Sequence, residues 1–422
     1  MVQDLFMSTA NNDSIKILFV ADVPLDNPSS GSENMLNRQA KDLSAAGVEV
    51  CAIVRLLRSE KPSIKRLYGI KLAQFYAPTH RFWRFLYQHL KYSVYFCEKF
   101  RRYSPFSAIV AHQPINCFIL LLKSKQLRSP LLYNFHSPSH EEYLLSRDNP
   151  QSFWNYVPML MRRKIEQYCL QKAQLVMVAS EYMKQKVIDI HHIDETRIFV
   201  NPGGVDLDCF HLPDDRRLQK KNLELPKDRV HLLTIRNLEP RMGLDNLIKA
   251  IALLEERKFH VHLVIGGEGP ERQKLENLIR RYGLSGNVAM TGFIPADKLA
   301  DYYGAADFFV LPTRKLEGFG LVTVESLACG TPVLGTPVGG TLEILSGLDS
   351  QFLFHNATAE SMAEGIQWAI ETWLSDDVEY EILRSRCRKY AEKNYSWEMH
   401  IQALHSKLLQ LDKQNHTCLQ FN

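Results

Sequence analysis

LPTRKLEGFGLVTVESLACGTPVLGTPVGGTLEIL, residues 311–345, is the stretch whose reading decides the architecture. The apolar run DFFVLPT (307–313) reads as a buried strand ending at Pro312. A loop holding Glu317, Gly318, Phe319 and Gly320 follows it. An apolar helical stretch then runs to about Cys329, Gly330 stops it, and TPVLGT (331–336) returns to strand. Strand, loop, helix, strand is a βαβ unit, which implies a parallel sheet. A helix N-terminus offers unpaired N–H groups and partial positive charge, so Gly320, Leu321 and Val322 can receive a diphosphate. Two carboxylates bracket that position, Glu317 before the helix and Glu325 within it. Directly beside a diphosphate they would repel it. Flanking it, each accepts hydrogen bonds from hydroxyls, one from a sugar and the other from a ribose. On the residues alone, a solvated helix glutamate and a loop charge are an equal alternative.

Outward from this segment the same alternation covers the chain. IKILFVAD (15–22), VEVCAIV (48–54), SAIVAH (107–112), LLYNFH (131–136) and QLVMVAS (174–180) read as strands, each trailed by a helical segment. The first of those helices spans about 33–47 and ends at Gly47. The pattern pauses at NPGGVDLDCFHLPDD, a linker signal. HLLTIR (231–236), HVHLVIGG (260–267) and NVAMTG (287–292) then lead to 307–313 and 331–336. Helices are expected over about 358–374 and 380–394, with a tail helix over 395–411. At 422 residues, two α/β domains are the default. The boundaries read as 1–208, 209–394 and a terminal helix 395–422. Ligands of parallel sheets bind beyond the carboxyl ends of the strands, so the residues just after strands are the candidates.

E-G-F-G-L-x-x-x-E followed by ACGTPVLGTPVGG resembles the E-x7-E segment of glycosyltransferase family 4, retaining "group 1" enzymes of the GT-B fold. The resemblance implies two Rossmann-like domains facing across a cleft, with a C-terminal helix crossing back to the first. It implies that Glu317 contacts the transferred sugar and that Glu325 binds the nucleotide ribose. Amides around Phe319, Gly320, Leu321 and Val322 would hold sugar and phosphates. SSGSENMLNRQAKDLSAAGVEV (29–50) is similar to the family's glycine loop and first helix. There Gly31 lets the loop approach donor and acceptor, with Ser30 where a second glycine is common. FVNPGGVDLDCF, LVIGGEGPERQKLE and the tail with Ser396, Trp397 and Glu398 extend the likeness.

Further site residues come with it. FHSPSHEEY (135–143) places His136 at the position of a family active-site histidine, with His112 and His140 as weaker acceptor-contact candidates. RNLEPRMG (236–243) departs from the family's text. Aligned on Gly243, Asn237 stands at the family's Arg position and Met242 at its Lys position. Arg236 and Arg241, each one residue away, take over the diphosphate role, since a departing UDP-like group needs positive charge. Gly292, Phe293 and Ile294 follow a strand where the family holds the base. The implied reaction moves a hexosyl group with retention from a UDP-sugar, UDP-glucose or a related UDP-hexose, to a glycan or lipid-linked acceptor in cell-surface polysaccharide synthesis. GDP-sugar is the competing donor. No D-x-D lies in a post-strand loop and no His/Cys cluster has ligand spacing, so no metal and no other cofactor is expected.

Two alternatives share this architecture: a GT-B-fold sugar-nucleotide epimerase and a non-catalytic sugar-nucleotide-binding protein. A dinucleotide oxidoreductase is disfavoured, because no G-x-G-x-x-G follows the first strand.

Composition bounds the rest. The eight cysteines (Cys51, Cys97, Cys117, Cys169, Cys209, Cys329, Cys387, Cys418) form no C-x-x-C pair and read as reduced thiols of a cytoplasmic protein. MVQDLFMSTANNDS lacks the regions of a signal peptide. Residues 51–128 carry fifteen Lys and Arg against Glu60 and Glu98, a net +13. Within them RFWRFLYQHLKYSVYFCEKFRRY (81–103) interleaves basic and aromatic residues. That composition suits peripheral contact with an anionic membrane surface, on the inner face of the plasma membrane. The alternative is that Trp83, Phe85, Leu86 and Leu90 pack on the first domain. No nucleic-acid motif accompanies the charge.

Overall fold

The computed structural model describes residues 15–26, 31–79, 81–102, 104–123, 129–145, 147 and 152–420, without the side chains of Phe82 and of residues 416–420. The N-terminal 14 residues, Ser30, and Lys125 and Arg128 of the basic block lie outside the described residues. The chain forms two compact units, residues 1–201 with 398–422, and residues 202–397.

The first unit is built on an eight-stranded sheet. Its strands are β1 (Lys16–Ala21), β2 (Glu49–Leu56), β3 (Ser63–Leu67), β4 (Ile70–Tyr76), β5 (Ala108–Ala111), β6 (Leu131–Phe135), β7 (Leu175–Val178) and β8 (Ile198–Val200). Their order is β3-β4-β2-β1-β5-β6-β7-β8. All pairs are parallel except β3–β4. β1 is buried throughout because helices cover both faces, which is why, after Lys16, it is a continuous apolar run and not an alternating one. The helices are α1 (Gly31–Ala45), α2 (Phe82–Arg101), α3 (Pro114–Lys123), α4 (Ser139–Leu145), α5 (Phe153–Lys172) and α6 (Glu181–His191). α1 buries Met35, Leu36, Gln39, Ala40 and Leu43 at helical spacing. α6 starts at Ser180, whose side chain accepts from the Met183 amide.

The β3–β4 hairpin has no counterpart in the sequence-based expectation. Its two-residue turn, Tyr68 and Gly69, has positive φ at both positions (51° and 82°), the geometry that suits a tight hairpin. β3 is an edge strand with Lys65 and Arg66 exposed, so it lacks the apolar run that announces the other strands.

The second unit holds β9 (Val230–Ile235), β10 (Val261–Gly266), β11 (Val288–Gly292), β12 (Phe308–Leu311) and β13 (Val333–Gly335), in the order β11-β10-β9-β12-β13. All pairs are parallel. Its helices are α7 (Arg216–Asn222), α8 (Leu244–Glu256), α9 (Arg272–Arg281), α10 (Leu299–Ala305), α11 (Leu321–Ala328), α12 (Gly340–Leu348), α13 (Ala359–Trp373) and α14 (Asp377–Asn394). Asp307, at the head of β12, ties α7 to the sheet by accepting from Arg216, Lys220 and the His231 amide. Burial alone would raise its carboxyl, but His231, Arg216 and Lys220 hold it well below the usual carboxylate range.

The last helix, α15 (Trp397–Gln420), runs further than the expected 395–411. From Glu398 onward it belongs to the first unit, where Asn201 donates to the His400 carbonyl. Among the described residues no helix is long and apolar enough to cross a membrane.

Candidate functional site

In the second sheet the strand order reverses about β9, with β10 on one side and β12 on the other. The crevice outside the carboxyl ends of β9 and β12 is therefore the expected ligand position of this unit. Arg236 leaves β9 and the Thr313–Gly320 loop leaves β12, so the topology brings the two together. Glu317 Oε2 accepts from Arg236 Nη2 at 2.5 Å and from Thr313 Oγ1 at 3.0 Å. The same guanidinium nitrogen lies 3.3 Å from Thr313 Oγ1 and 2.9 Å from Met242 Sδ. Arg236 Nε is buried without a partner. Arg241 does something different. It donates to Glu239 and to the Leu316 carbonyl, at 2.8 Å in the latter case, and so holds the loop backbone. Asn237 is exposed and Met242 buried.

The loop's path depends on glycine. At Gly339 φ is +58° and ψ −140°, a region other residues enter only with strain. A Cβ there would fall on the Glu317 carbonyl oxygen. Next to it the Gly340 amide donates to that same oxygen at 3.0 Å. Gly339→Ala is thus expected to displace Glu317 and to destabilise the unit by about 1–3 kcal/mol. Thermal melting of the purified variant checks this, a drop of roughly 2–4 °C per kcal/mol being expected. An unchanged melting temperature would show that the loop relaxes freely.

α11 begins at Gly320, whose φ is +92°, and no side chain caps it. Its first amides are therefore presented to whatever lies before the helix. Thr323 Oγ1 and Thr341 Oγ1, both buried and without hydrogen-bond partners, lie beneath Gly320. Phe319 is buried edge-on against Tyr395, at a centroid distance of 5.6 Å. Glu325, half-buried within α11, accepts from Tyr303 Oη at 2.9 Å. Removal from water pushes the Glu325 carboxyl up to about 7, against the opposing effect of the Tyr303 hydrogen bond. After β11, Phe293 is exposed, while Ile294 is buried against Gly266.

The first unit has its own switch point at β1, between β2 and β5. Gly31 opens α1, exposed, past the end of β1. Asp22, just after β1, accepts from the amides of Ile115 and Asn116 in the first turn of α3. His112 follows β5 and His136 follows β6. His112 Nδ1 and His136 Nε2 are 3.0 Å apart. Burial, then the nearby His400, pushes His136 down to about 4; burial, then His136 and His400, puts His112 well below its ordinary value. His400 Nε2 pairs with the Gln39 amide nitrogen at 2.9 Å.

Several residues escape the sequence reading. Thr313 and Tyr303 hold the two carboxylates, yet nothing local marks them beyond a polar side chain at a strand end and a tyrosine in a helix. His400, on α15, lies near His136 and pairs with Gln39. His140 is not joined to the His112–His136 pair; it lies buried with Glu166 and His191, a grouping no spacing along the chain reveals. The described cysteines form no disulfide, and all of them but Cys209 are buried.

Comparison with known proteins bears on this geometry. The family model described as "Glycosyl transferases group 1" matches residues 215–394, and that described as "Glycosyltransferase Family 4" matches residues 29–209. A D-inositol 3-phosphate glycosyltransferase of Mycolicibacterium gilvum is 36% identical over 43% of this chain and 40% of its own length. The chain spans about half the length of the first curated relatives it matches. Sucrose-phosphate synthase from Thermosynechococcus elongatus shares the fold with a TM-score of 0.80, at 21% identity over 94% of this chain and 99% of its own. Anabaena HepE in complex with UDP-glucose gives 0.68, at 19% identity over 97% and 100%.

Proposed function

The chain belongs to the group 1 glycosyltransferases of glycosyltransferase family 4, and on that premise we propose that it transfers a hexosyl group, with retention, from a UDP-hexose such as UDP-glucose to a glycan or lipid-linked acceptor of a cell-surface polysaccharide. The observation that carries this reading is the cluster of Glu317, Arg236 and Thr313 beside the uncapped start of α11. In this reading the diphosphate lies at Gly320, Leu321 and Val322, where helix amides and Arg236 receive the charge of the leaving β-phosphate. Arg241 fixes the loop that carries Glu317. Glu317 meets the hydroxyls of the transferred sugar, and Glu325, oriented by Tyr303, accepts from the ribose diol. Phe293 and Ile294 border the base, and Asn237 lies at the diphosphate's edge. His136, neutral and fixed by His112, serves the transferred sugar, and Gly31 leaves room for donor and acceptor. The acceptor hydroxyl attacks the anomeric carbon from the face the diphosphate leaves, and the leaving phosphate takes its proton. The charge neutralisation needed comes from these protein groups, so the reading calls for no metal.

The test is a thermal-shift screen of UDP- and GDP-hexoses, since a ligand bound only by the folded chain raises its melting temperature. UDP-hexoses are expected to give the largest shift. No shift with any nucleotide sugar would end the donor assignment, and sugar epimerisation without transfer would move the chain to a different reaction.

Glu325 gives the donor site a pH signature. Below about pH 7 the folded chain keeps a proton on it that a ribose diol, donating to the carboxylate, must expel. UDP affinity should therefore rise as pH rises from 6 to 8. Glu325→Gln removes that part of the dependence, leaving the part due to UDP itself. Identical pH profiles for the two proteins in calorimetry would contradict the ribose role.

The basic block points to a membrane-facing side. α2 buries His89, Ser93, Phe96, Cys97 and Phe100 and turns Trp83, 78% exposed, with Tyr87 and Tyr95 to solvent. Packing of Trp83 on the domain is thus not what the fold adopts, while Phe85, Leu86 and Leu90 are half-buried. α5, which like α2 packs on α3, adds Phe153 and Trp154, 76% and 84% exposed. Aromatics beside Arg81, Arg84, Lys91 and Lys99 suit an anionic lipid surface, and hence a cytoplasmic enzyme held at the inner face of the plasma membrane. Co-sedimentation with anionic vesicles is expected at low salt and should weaken as salt rises. Replacing Arg81, Arg84, Arg101 and Arg102 with Ser should reduce it by about fivefold per residue, from about 1 kcal/mol each. Equal binding to neutral vesicles, or none at all, would sink the membrane assignment.

A further inference from the structure

We propose that His140, Glu166 and His191 form a binding site for one divalent transition-metal ion of the zinc class. The three side chains come from α4, α5 and α6, and all three are buried, at 8%, 2% and 0% exposure. One ligating atom of each lies within 4.8 Å of the others. His191 Nε2 and Glu166 Oε2 are 3.2 Å apart, the separation of neighbouring ligands around an ion with bonds of about 2.0–2.1 Å. Two imidazoles and a carboxylate are a donor set for such ions.

Two further observations point to a ligand and not to a plain ion pair. First, His140 Nδ1 is buried without a hydrogen-bond partner, and so is His191 Nε2, the ring nitrogen that faces Glu166 Oε2. Burying such an atom unpaired is unfavourable, and a metal ion that takes up a ring lone pair offsets that cost. Second, the carboxylate is already oriented. The Ser139 amide donates to both Glu166 oxygens, at 3.3 and 3.2 Å, the kind of outer contact that fixes a metal-ligating carboxylate. The cations nearby are engaged elsewhere: Lys186 pairs with Glu141, and Arg163 donates to the Ile190 carbonyl.

Ser139 lies three residues after His136. An ion at this site would clamp the turn between β6 and α4, which carries His136, to the helices behind it. Its role is structural, and it stands whether or not the donor assignment above is right.

The experiment uses the full chain without an affinity tag, stripped with a chelator and returned to metal-free buffer. Zn2+ is titrated by calorimetry, and Co2+ by its visible absorption. One ion per chain is expected, with a melting temperature that rises with free Zn2+ and a Co2+ spectrum that Zn2+ abolishes. His140→Gln and Glu166→Gln should each weaken binding at least tenfold, the exposed His260→Gln leaving it unchanged. His191 is the deepest ligand, and its Gln variant is read for binding only if its circular dichroism matches the parent. His140→Gln, at the least buried position, carries the test otherwise. No stoichiometric binding, or Co2+ binding that survives His140→Gln, overturns the site and leaves a buried His191–Glu166 ion pair.

Discussion

Glu317→Gln should lower hexosyl transfer by about 100- to 1,000-fold, the loss typical when one group that stabilises a transition state is removed. The chain should remain folded, because the amide oxygen can still accept from Arg236 and Thr313, the two donors that now hold Oε2. UDP affinity should change little, since in the proposed arrangement the carboxylate meets the sugar and not the diphosphate. His136→Ala should give a comparable loss of turnover. With His136 already neutral, its protonation should produce no inflection near pH 6.5 in the parent. Steady-state kinetics on donor and acceptor, with circular dichroism as the folding control, decide both. Near-normal turnover in either variant removes that residue from the catalytic set.

Arg236→Ala is expected to fail in two ways at once. Loss of a charge-assisted hydrogen bond should weaken UDP binding by about 1.5–3 kcal/mol. Loss of the partner also leaves the Glu317 carboxylate, buried beside a loop, without its cation. Removing one member of a buried pair costs about 3–5 kcal/mol of stability in general. The Arg236 and Glu317 side chains are only 7% and 10% exposed, so this range applies. The double variant Arg236→Met with Glu317→Gln should recover much of that stability and none of the transfer. Arg241→Ala, whose parent side chain holds the Leu316 carbonyl, should shift the loop and affect turnover more than UDP affinity. If Arg236→Ala binds UDP as the parent does, the diphosphate charge is met elsewhere. A melting temperature equal to the parent's would show that the ion pair does not stabilise the unit.

Local structure is legible in the sequence alone. Parallel strands covered on both faces are mostly apolar, so β1, β2, β5, β6, β7 and the strands of the second unit appear as short hydrophobic runs between helical stretches. The loop of Glu317 to Gly320 and the helix behind it lie in one continuous segment, so their chemistry is readable from spacing alone. β3 was invisible because an exposed edge strand with Lys65 and Arg66 buries too little to need an apolar pattern. Tertiary structure decided the partners. Arg236 meets Glu317 across 81 residues of chain because β9 and β12 are neighbours where the strand order reverses. Tyr303 meets Glu325 because α10 and α11 pack together. His400 comes near His136 from the last helix, where it pairs with Gln39, and three helices close on the His140 cluster. Side-chain spacing within one element is set by the 3.6- and 2-residue periods, and a sequence displays both. Contacts between elements are set by strand order and helix packing, which the sequence encodes only through the energy of the whole fold.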